Sequence, residues 1–233
     1  YFSSRAKGNI YDFVESYKEN CEKTAGKGLM CMFSGNHDVD RLARHLHGDE
    51  LKVAFAFILS MPGAPFIYYG DEIGMRYVEG LKSVEGGYNR TGSRSPMQWD
   101  DSTNAGFSSA PASDLYIAMD PDKDRPTAKK EMAAPDSLYH EVKKLIRIRQ
   151  SHKALQSRGK ITFVYAEKNA YPLAYIREDG DEKILVIINA AAEAKTFACD
   201  AEPKEAIYNF GAAAEAKNGK ITVPAQSAGF YRI

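Results

Sequence analysis

Ile10, Phe13, Val14 and Tyr17 recur at helical spacing, which predicts an amphipathic helix with Asn9 as its N-cap. The glycine-flanked turn Ala25-Gly26-Lys27-Gly28 follows. Leu29-Met30-Cys31-Met32-Phe33 is then a continuous apolar run, the pattern of a short strand buried on both faces in a parallel sheet. After a polar loop, Val53-Ala54-Phe55-Ala56-Phe57-Ile58-Leu59 is apolar nearly all round, predicting a helix over 50–61 that packs between layers. Pro62-Gly63 stops it. Phe66-Ile67-Tyr68-Tyr69 predicts a second buried strand, ended by Gly70-Asp71-Glu72. Strand, loop, helix, strand is the grammar of a βα repeat.

Residues 73–135 are polar and rich in Gly, Pro and Ser, a loop long enough to expect a functional role. An amphipathic helix follows, with Asp136 or Ser137 as N-cap and Leu138, Val142, Leu145, Ile146 and Arg149 along one side. Past Arg158 the texture changes to short β-type runs at 161–165, 173–176, 184–188, 206–208 and 221–223. Glu178-Asp179-Gly180-Asp181 and Asn218-Gly219 are hairpin turn signals. The reading is α/β plus all-β: an α/β portion over 1–157, then an antiparallel β-sandwich over 158–233. The alanine-rich patches at 190–192 and 212–214 read as loops, and no internal repeat is visible.

Composition narrows the function classes. Hydrophobic residues make up 44%, enough for a substantial core. Thirty-one Lys and Arg balance 31 Asp and Glu, so there is no electrostatic case for nucleic acid or an anionic membrane. No apolar run approaches the ~20 residues that span a bilayer. The chain opens on Tyr1 and carries no signal-peptide pattern, so it reads as a piece of a longer chain and leaves the compartment open. Cys21, Cys31 and Cys199 have no paired spacing, which argues against a zinc site or a disulfide framework, and Cys31 is expected in the core. His45, His47, His140 and His152 show no metal-ligand spacing and read as surface residues.

Asn36-His37-Asp38 directly follows the first predicted strand. In a parallel barrel, that end of a strand carries the active site. His37 can donate to a sugar hydroxyl. An ionised Asp38 can accept from two adjacent hydroxyls and offer negative charge to an oxocarbenium-like centre. Asn36 can fix the orientation of either neighbour. Alone, the tripeptide is a weak signal, since an Asp that starts a turn beside a loop histidine reads the same way.

Three stretches together are more specific. Phe33-Ser34-Gly35-Asn36-His37-Asp38-Val39-Asp40-Arg41 resembles the fourth conserved region of the alpha-amylase superfamily of glycoside hydrolases. Residues 62–75 resemble its following conserved strand. Arg94-Ser95-Pro96-Met97-Gln98-Trp99-Asp100, with Asn104-Ala105-Gly106-Phe107, resembles a stretch of the alpha-glucosidase and amylase branches. The resemblance implies the C-terminal portion of a (β/α)8 TIM barrel, with strands seven and eight before and after the 50–61 helix, followed by the family's domain C sandwich. It implies a retaining hydrolase of alpha-glucosidic bonds in starch-derived oligosaccharides. His37 and Asn36 would bind substrate, and Asp38 would be the third catalytic carboxylate. The nucleophile and the general acid would lie upstream, so the isolated chain is expected to be inactive and to partner the N-terminal part of the same enzyme. Family calcium ligands are also expected upstream, so no metal and no cofactor is expected on these residues. Alternatives on the same scaffold are a transglycosylase, an isomerase of trehalose-synthase type, or a non-catalytic carbohydrate-binding relative.

Further candidates divide between site and scaffold. Arg41 reads equally as a residue that positions loop or substrate and as a solvated surface arginine. Arg94 resembles an arginine that recognises the non-reducing sugar, with Arg90 as the fallback. Asp71 and Glu72 are adjacent, would point to opposite faces of an extended segment, and read as supporting residues. Trp99 reads as a buried loop anchor ahead of a sugar-stacking platform. Tyr68 and Tyr69 read as core.

Overall fold

The computed structural model describes residues 1–3, 10–83 and 90–233. Asn9, expected as an N-cap, lies outside the described residues. The elements run α1 (Ile10–Thr24), β1 (Cys31–Phe33), α2 (Asp49–Ser60), β2 (Ala64–Phe66), α3 (Ala128–Ala133), α4 (Leu138–Ser151) and β3 (Lys160–Tyr165). Then come β4 (Leu173–Asp179), β5 (Glu182–Asn189), β6 (Lys195–Ala198), β7 (Ala206–Phe210), β8 (Glu215–Lys217), β9 (Lys220–Val223) and β10 (Ser227–Arg232).

Two compact units form. One holds Tyr1–Met32, Gly48–Pro65 and Lys144–Ile233; the other holds Phe33–His47 and Phe66–Lys143. This interleaved partition differs from a linear cut between 157 and 158. Its physical reason is that α1 and α2 pack with the strands: Tyr17 meets Phe163 edge-on, and α2 lies against β5 and β10.

In the first unit, α1 buries Ile10, Val14 and Tyr17, the face its spacing predicts. Helix α2 buries ten of its twelve residues, Glu50 to Ser60 with only Lys52 left out, so an all-round apolar helix sits where the sequence demands it. Strands β3-β4-β5-β10-β7 make a five-stranded sheet, and β6-β9-β8 a three-stranded one. Leu185 and Ile187 of β5 pack with Phe197, Ile221 and Val223 of the small sheet, while Ile184, Val186 and Ile188 alternate onto the other face. That two-sided burial explains the unbroken apolar run in β5. Asn218 and Gly219 both take positive φ in the β8–β9 turn, the type I′ requirement the dipeptide signals.

The carboxyl end of α2 is finished by two buried arginines. Arg149 donates to the carbonyls of Leu59 (2.8 Å), Met61 (2.7 Å) and Gly63 (2.9 Å). Arg177 donates to the carbonyls of Ser60, Gln156 (2.7 Å) and Gly159 (3.3 Å). Helix-end carbonyls have no intrahelical partner and carry partial negative charge, so cations there satisfy both needs. Burial pulls the Arg177 pKa down to about 10, yet it stays protonated at neutral pH.

Strands β1 and β2 pair with each other. The bonds Ala64 N to Met30 O (2.8 Å) and Ser34 N to Phe66 O (2.9 Å) advance together along both strands, the parallel sense, with α2 as the crossover. Both strands are shorter than predicted, three residues each. The expectation of two buried faces does not hold: only Met32 of β1 is buried, and Cys31, Phe33 and Phe66 are exposed. Cys31 is therefore not a core residue. With one strand on each side at most, a two-stranded sheet cannot enclose its own faces. Tyr68 and Tyr69 lie beyond β2 rather than within a strand.

In the second unit, the long polar segment is built from short helical turns and α3, with Thr127 as N-cap accepting from the Lys130 amide. Ile73, Met75 and Met97 form its buried cluster, with Ala128 and Tyr139 against it. Ser137 caps α4 by accepting from the His140 amide at 3.3 Å. No helix among the described residues is long and apolar enough to cross a membrane.

Candidate active site

The loop leaving β1 is pinned from below before it presents anything to solvent. Ser34 Oγ donates to Asp71 Oδ2 at 2.7 Å and accepts from the Tyr68 amide at 3.0 Å. A Cβ on Gly35 would meet Asp71 Oδ2 at 2.8 Å, so glycine is what lets the loop pass over that carboxylate. Arg41 closes the same anchor, donating to Asp71 Oδ1 at 2.9 Å and to the Tyr69 carbonyl at 2.8 Å. Its guanidinium lies 4.8 Å from the ring centroids of both Tyr68 and Tyr69. Arg41 is 1% exposed and Asp71 2%. Burial pushes the Asp71 carboxyl up, against the downward pull of Ser34 and Arg41.

Arg41 is thus neither a solvated surface arginine nor a side chain with surface to give a ligand. Its work is to hold the loop. Asp71 is a supporting residue, as its neighbour rule suggested, although it sits in a 3-10 turn over Asp71–Ile73 and not in an extended segment.

Above this anchor, Asn36 Oδ1 accepts from the amides of Asp38 (2.7 Å) and Val39 (3.1 Å). That side chain sets the turn that aims Asp38. Two arginines from a 3-10 turn over Thr91–Arg94 and the residue before it reach Asp38 Oδ1: Arg90 Nη1 at 2.5 Å and Arg94 Nη2 at 3.2 Å. Arg94 Nε also donates to the His37 carbonyl at 2.9 Å, and Ser93 Oγ to the Val39 carbonyl at 2.7 Å. The His37 ring is exposed, with Nε2 3.4 Å from Asp38 Oδ2. The Arg90 hydrogen bond, helped by the charges of Arg90, His37 and Arg94, holds the Asp38 carboxyl below its usual range. The result is an exposed carboxylate, ionised at neutral pH and preoriented by a fixed turn.

The structure brings Asn36, His37, Asp38, Arg94 and Arg90 together and places Arg41 beneath them. Arg90, only a fallback in the sequence, makes the shorter contact to Asp38. Ser34 and its bond to Asp71 carried no sequence signal beyond Ser34's place at a strand end, since the partner is 37 positions away. Trp99 is 51% exposed, so it is not a buried anchor. His152 is not a free surface residue either: its Nδ1 lies 2.6 Å from Glu182 Oε1 and the pair is mostly buried. Among the described residues no group of three His, Cys, Asp or Glu is set to hold a metal ion.

Known proteins resemble this chain in sequence and in fold. Residues 3–158 match the family described as alpha amylase, catalytic domain. The glucan 1,6-alpha-glucosidase of Streptococcus pneumoniae is 29% identical over 230 residues, covering 84% of this chain and 42% of that protein. The oligo-1,6-glucosidase of Parageobacillus thermoglucosidasius is 30% identical over 223 residues, covering 81% of this chain and 39% of its own length. This chain therefore spans about two fifths of the length of these two relatives. Among solved structures, a variant of the trehalulose synthase MutB in complex with Tris superposes with a TM-score of 0.82 at 25% identity, over 97% of this chain and 47% of that one. The likeness is to a TIM-barrel-type fold.

Proposed function

The chain belongs to the alpha-amylase superfamily, and on that premise we propose that it is the C-terminal part of a retaining glycoside hydrolase acting on alpha-glucosidic bonds of starch-derived oligosaccharides. In this reading β1 and β2 are barrel strands seven and eight, and 158–233 is the domain C sandwich. The observation that carries it is Asp38: an exposed carboxylate at the end of β1, kept ionised by Arg90 and Arg94.

A retaining glycosidase uses one carboxylate to attack the anomeric carbon and a second to protonate the leaving oxygen. Asp38 does neither. Its Oδ2, beside His37, receives adjacent sugar hydroxyls, and its fixed negative charge stabilises the positive charge that grows on the ring in the transition state. The His37 ring adds a donor to the same sugar, Asn36 holds the turn, and Arg94 and Arg90 set both the charge and the aim of Asp38. Arg41 positions the loop through Asp71. The nucleophile and acid are supplied by the N-terminal part of the enzyme, the partner of this chain.

In the full-length protein, Asp38→Asn should lower kcat on malto- or isomalto-oligosaccharides by about 100-fold or more. Chain 1–233 alone should hydrolyse neither above an Asp38→Ala control. Full activity in Asp38→Asn would overturn the assignment. The structural likeness to a trehalulose synthase favours one second reading, transfer of the glycosyl group to a sugar hydroxyl instead of water. Product analysis of the full-length protein separates the two.

A further inference from the structure

We propose that residues 120–131 form a calcium-type loop that carries its own cations: the guanidinium groups of Arg76 and Arg125 stand where a calcium ion would, and lock this strap against Gln98. The proposal is independent of the carbohydrate reading above.

Asp120-Pro121-Asp122-Lys123-Asp124 places carboxylates at positions one, three and five, and Glu131 falls at position twelve. That is the acidic spacing of a twelve-residue calcium loop. In such a loop a backbone carbonyl at position seven also reaches the ion, and a glycine at position six makes the sharp turn. Two positions depart from it here. Position six is Arg125. Position seven is Pro126, whose carbonyl is taken by Nε2 of the buried Gln98 at 2.5 Å.

The oxygens of the loop converge on guanidinium nitrogens. Arg76, in the segment after β2, puts Nη1 2.8 Å from Asp122 Oδ2 and Nη2 3.7 Å from Asp120 Oδ2. Arg125 Nη1 donates to the carbonyls of Asp120 (3.1 Å) and Asp122 (3.4 Å). Two carboxylates and two carbonyls are the oxygen donors that calcium collects, and a planar cation with five N–H groups can satisfy the same set. The other carboxylate oxygens turn onto the chain: Asp120 Oδ1 accepts from the Asp122 amide at 2.9 Å, and Asp122 Oδ1 from the Asp124 amide at 2.8 Å. Asp120 is 5% exposed, and a buried carboxylate needs a cation beside it. The Asp124 amide, then Arg76 and Arg125, hold the Asp122 carboxyl below its usual range. A glycine at position six would turn the chain equally well, but would leave the two carbonyls without their donor. The locked strap is tied down further along: the Ala128 amide donates to the Gln98 carbonyl at 2.8 Å, and the Lys129 amide to the Trp99 carbonyl at 2.9 Å.

Lys123 is exposed within the loop, so cleavage after it by lysyl endopeptidase, which needs no calcium, reads local opening of the strap in the full-length protein. Wild type should be nicked slowly in EDTA, and calcium at about 10 mM, above the ~1 mM Kd of weak calcium modules, should leave the rate unchanged. Arg76→Met should be nicked about fivefold faster in both conditions, and Arg76→Lys, which keeps the charge, should recover part of the loss. Asp122→Asn removes the other side of the pair and should behave as Arg76→Met does, which keeps the test open if Arg76→Met fails to fold. In Arg76→Met/Arg125→Gly, which removes both guanidiniums and restores the glycine, calcium should slow the nick about fivefold. Wild type slowed by calcium, or a double variant that calcium leaves unchanged, would overturn the equivalence of guanidinium and ion. Arg76→Met and Asp122→Asn nicked at the wild-type rate would overturn the lock.

Discussion

Replacing Arg41 with leucine leaves the Asp71 carboxylate without its cation in a place water does not reach. Ser34 remains as a donor, but the ion pair is gone. Breaking a fully buried pair from one side costs about 3–5 kcal/mol. For a chain of this size that is a fall in Tm of about 10 °C. The pH dependence follows from burial, which raises the folded-state pKa of Asp71 above its ordinary value even with Arg41 present. The folded state then holds the proton more tightly than the unfolded one. Stability contributed at this site is therefore greatest in acid and falls as pH rises from the ordinary carboxylate value through the raised one. Without Arg41 the rise is larger, so the variant's deficit should be small in acid and grow toward neutral pH. Thermal melts of wild type and Arg41→Leu, run within the carboxylate range and at neutral pH, measure this. Adding Asp71→Asn should restore part of the neutral-pH loss, because no charge is left to bury. A neutral-pH loss under about 1 kcal/mol, or an equal deficit at both pH values, would refute the argument that the pair is what anchors the loop.

Gly35→Ala should destabilise by about 1–3 kcal/mol in denaturant melts, because its Cβ would sit 2.8 Å from Asp71 Oδ2; Gly28→Ala, with nothing within 4 Å, is the matched control and should change little. Arg177→Met should cost about 3 kcal/mol by stranding the carbonyls of Ser60, Gln156 and Gly159, and amide exchange at the carboxyl end of α2 should speed up.

Elements whose signal is local were legible in the sequence. The helical spacing of Ile10, Val14 and Tyr17, the apolar run inside α2, the Ser137 cap and the Asn218-Gly219 turn are each set by neighbours within a few positions. Strands β6, β8 and β10 were not predicted. The first two are short and polar on at least one face, and β10 reads Ser-Ala-Gly-Phe-Tyr-Arg, a poor β former by composition. Its strand state is imposed by pairing with β5 and β7, which no local window contains. The site divides the same way. Asn36, His37 and Asp38 were visible as one tripeptide. Their supports were not, because Arg41, Asp71, Arg90 and Arg94 meet across 30 to 56 positions and burial alone decides which arginine faces inward.

The place of β10 has a consequence for how the chain is made. It lies between β5 and β7, and β7 has no other neighbour in the sheet. Residues 227–232 are synthesised after the nine strands and four α-helices that precede them among the described residues. Until they leave the ribosome, the edge of β5 that pairs with β10 and the whole of β7 stay unpaired. Folding of this sheet is thus a late event with long-range closure, and the nascent chain passes through a stage in which its most apolar strand offers an open edge to whatever meets it first.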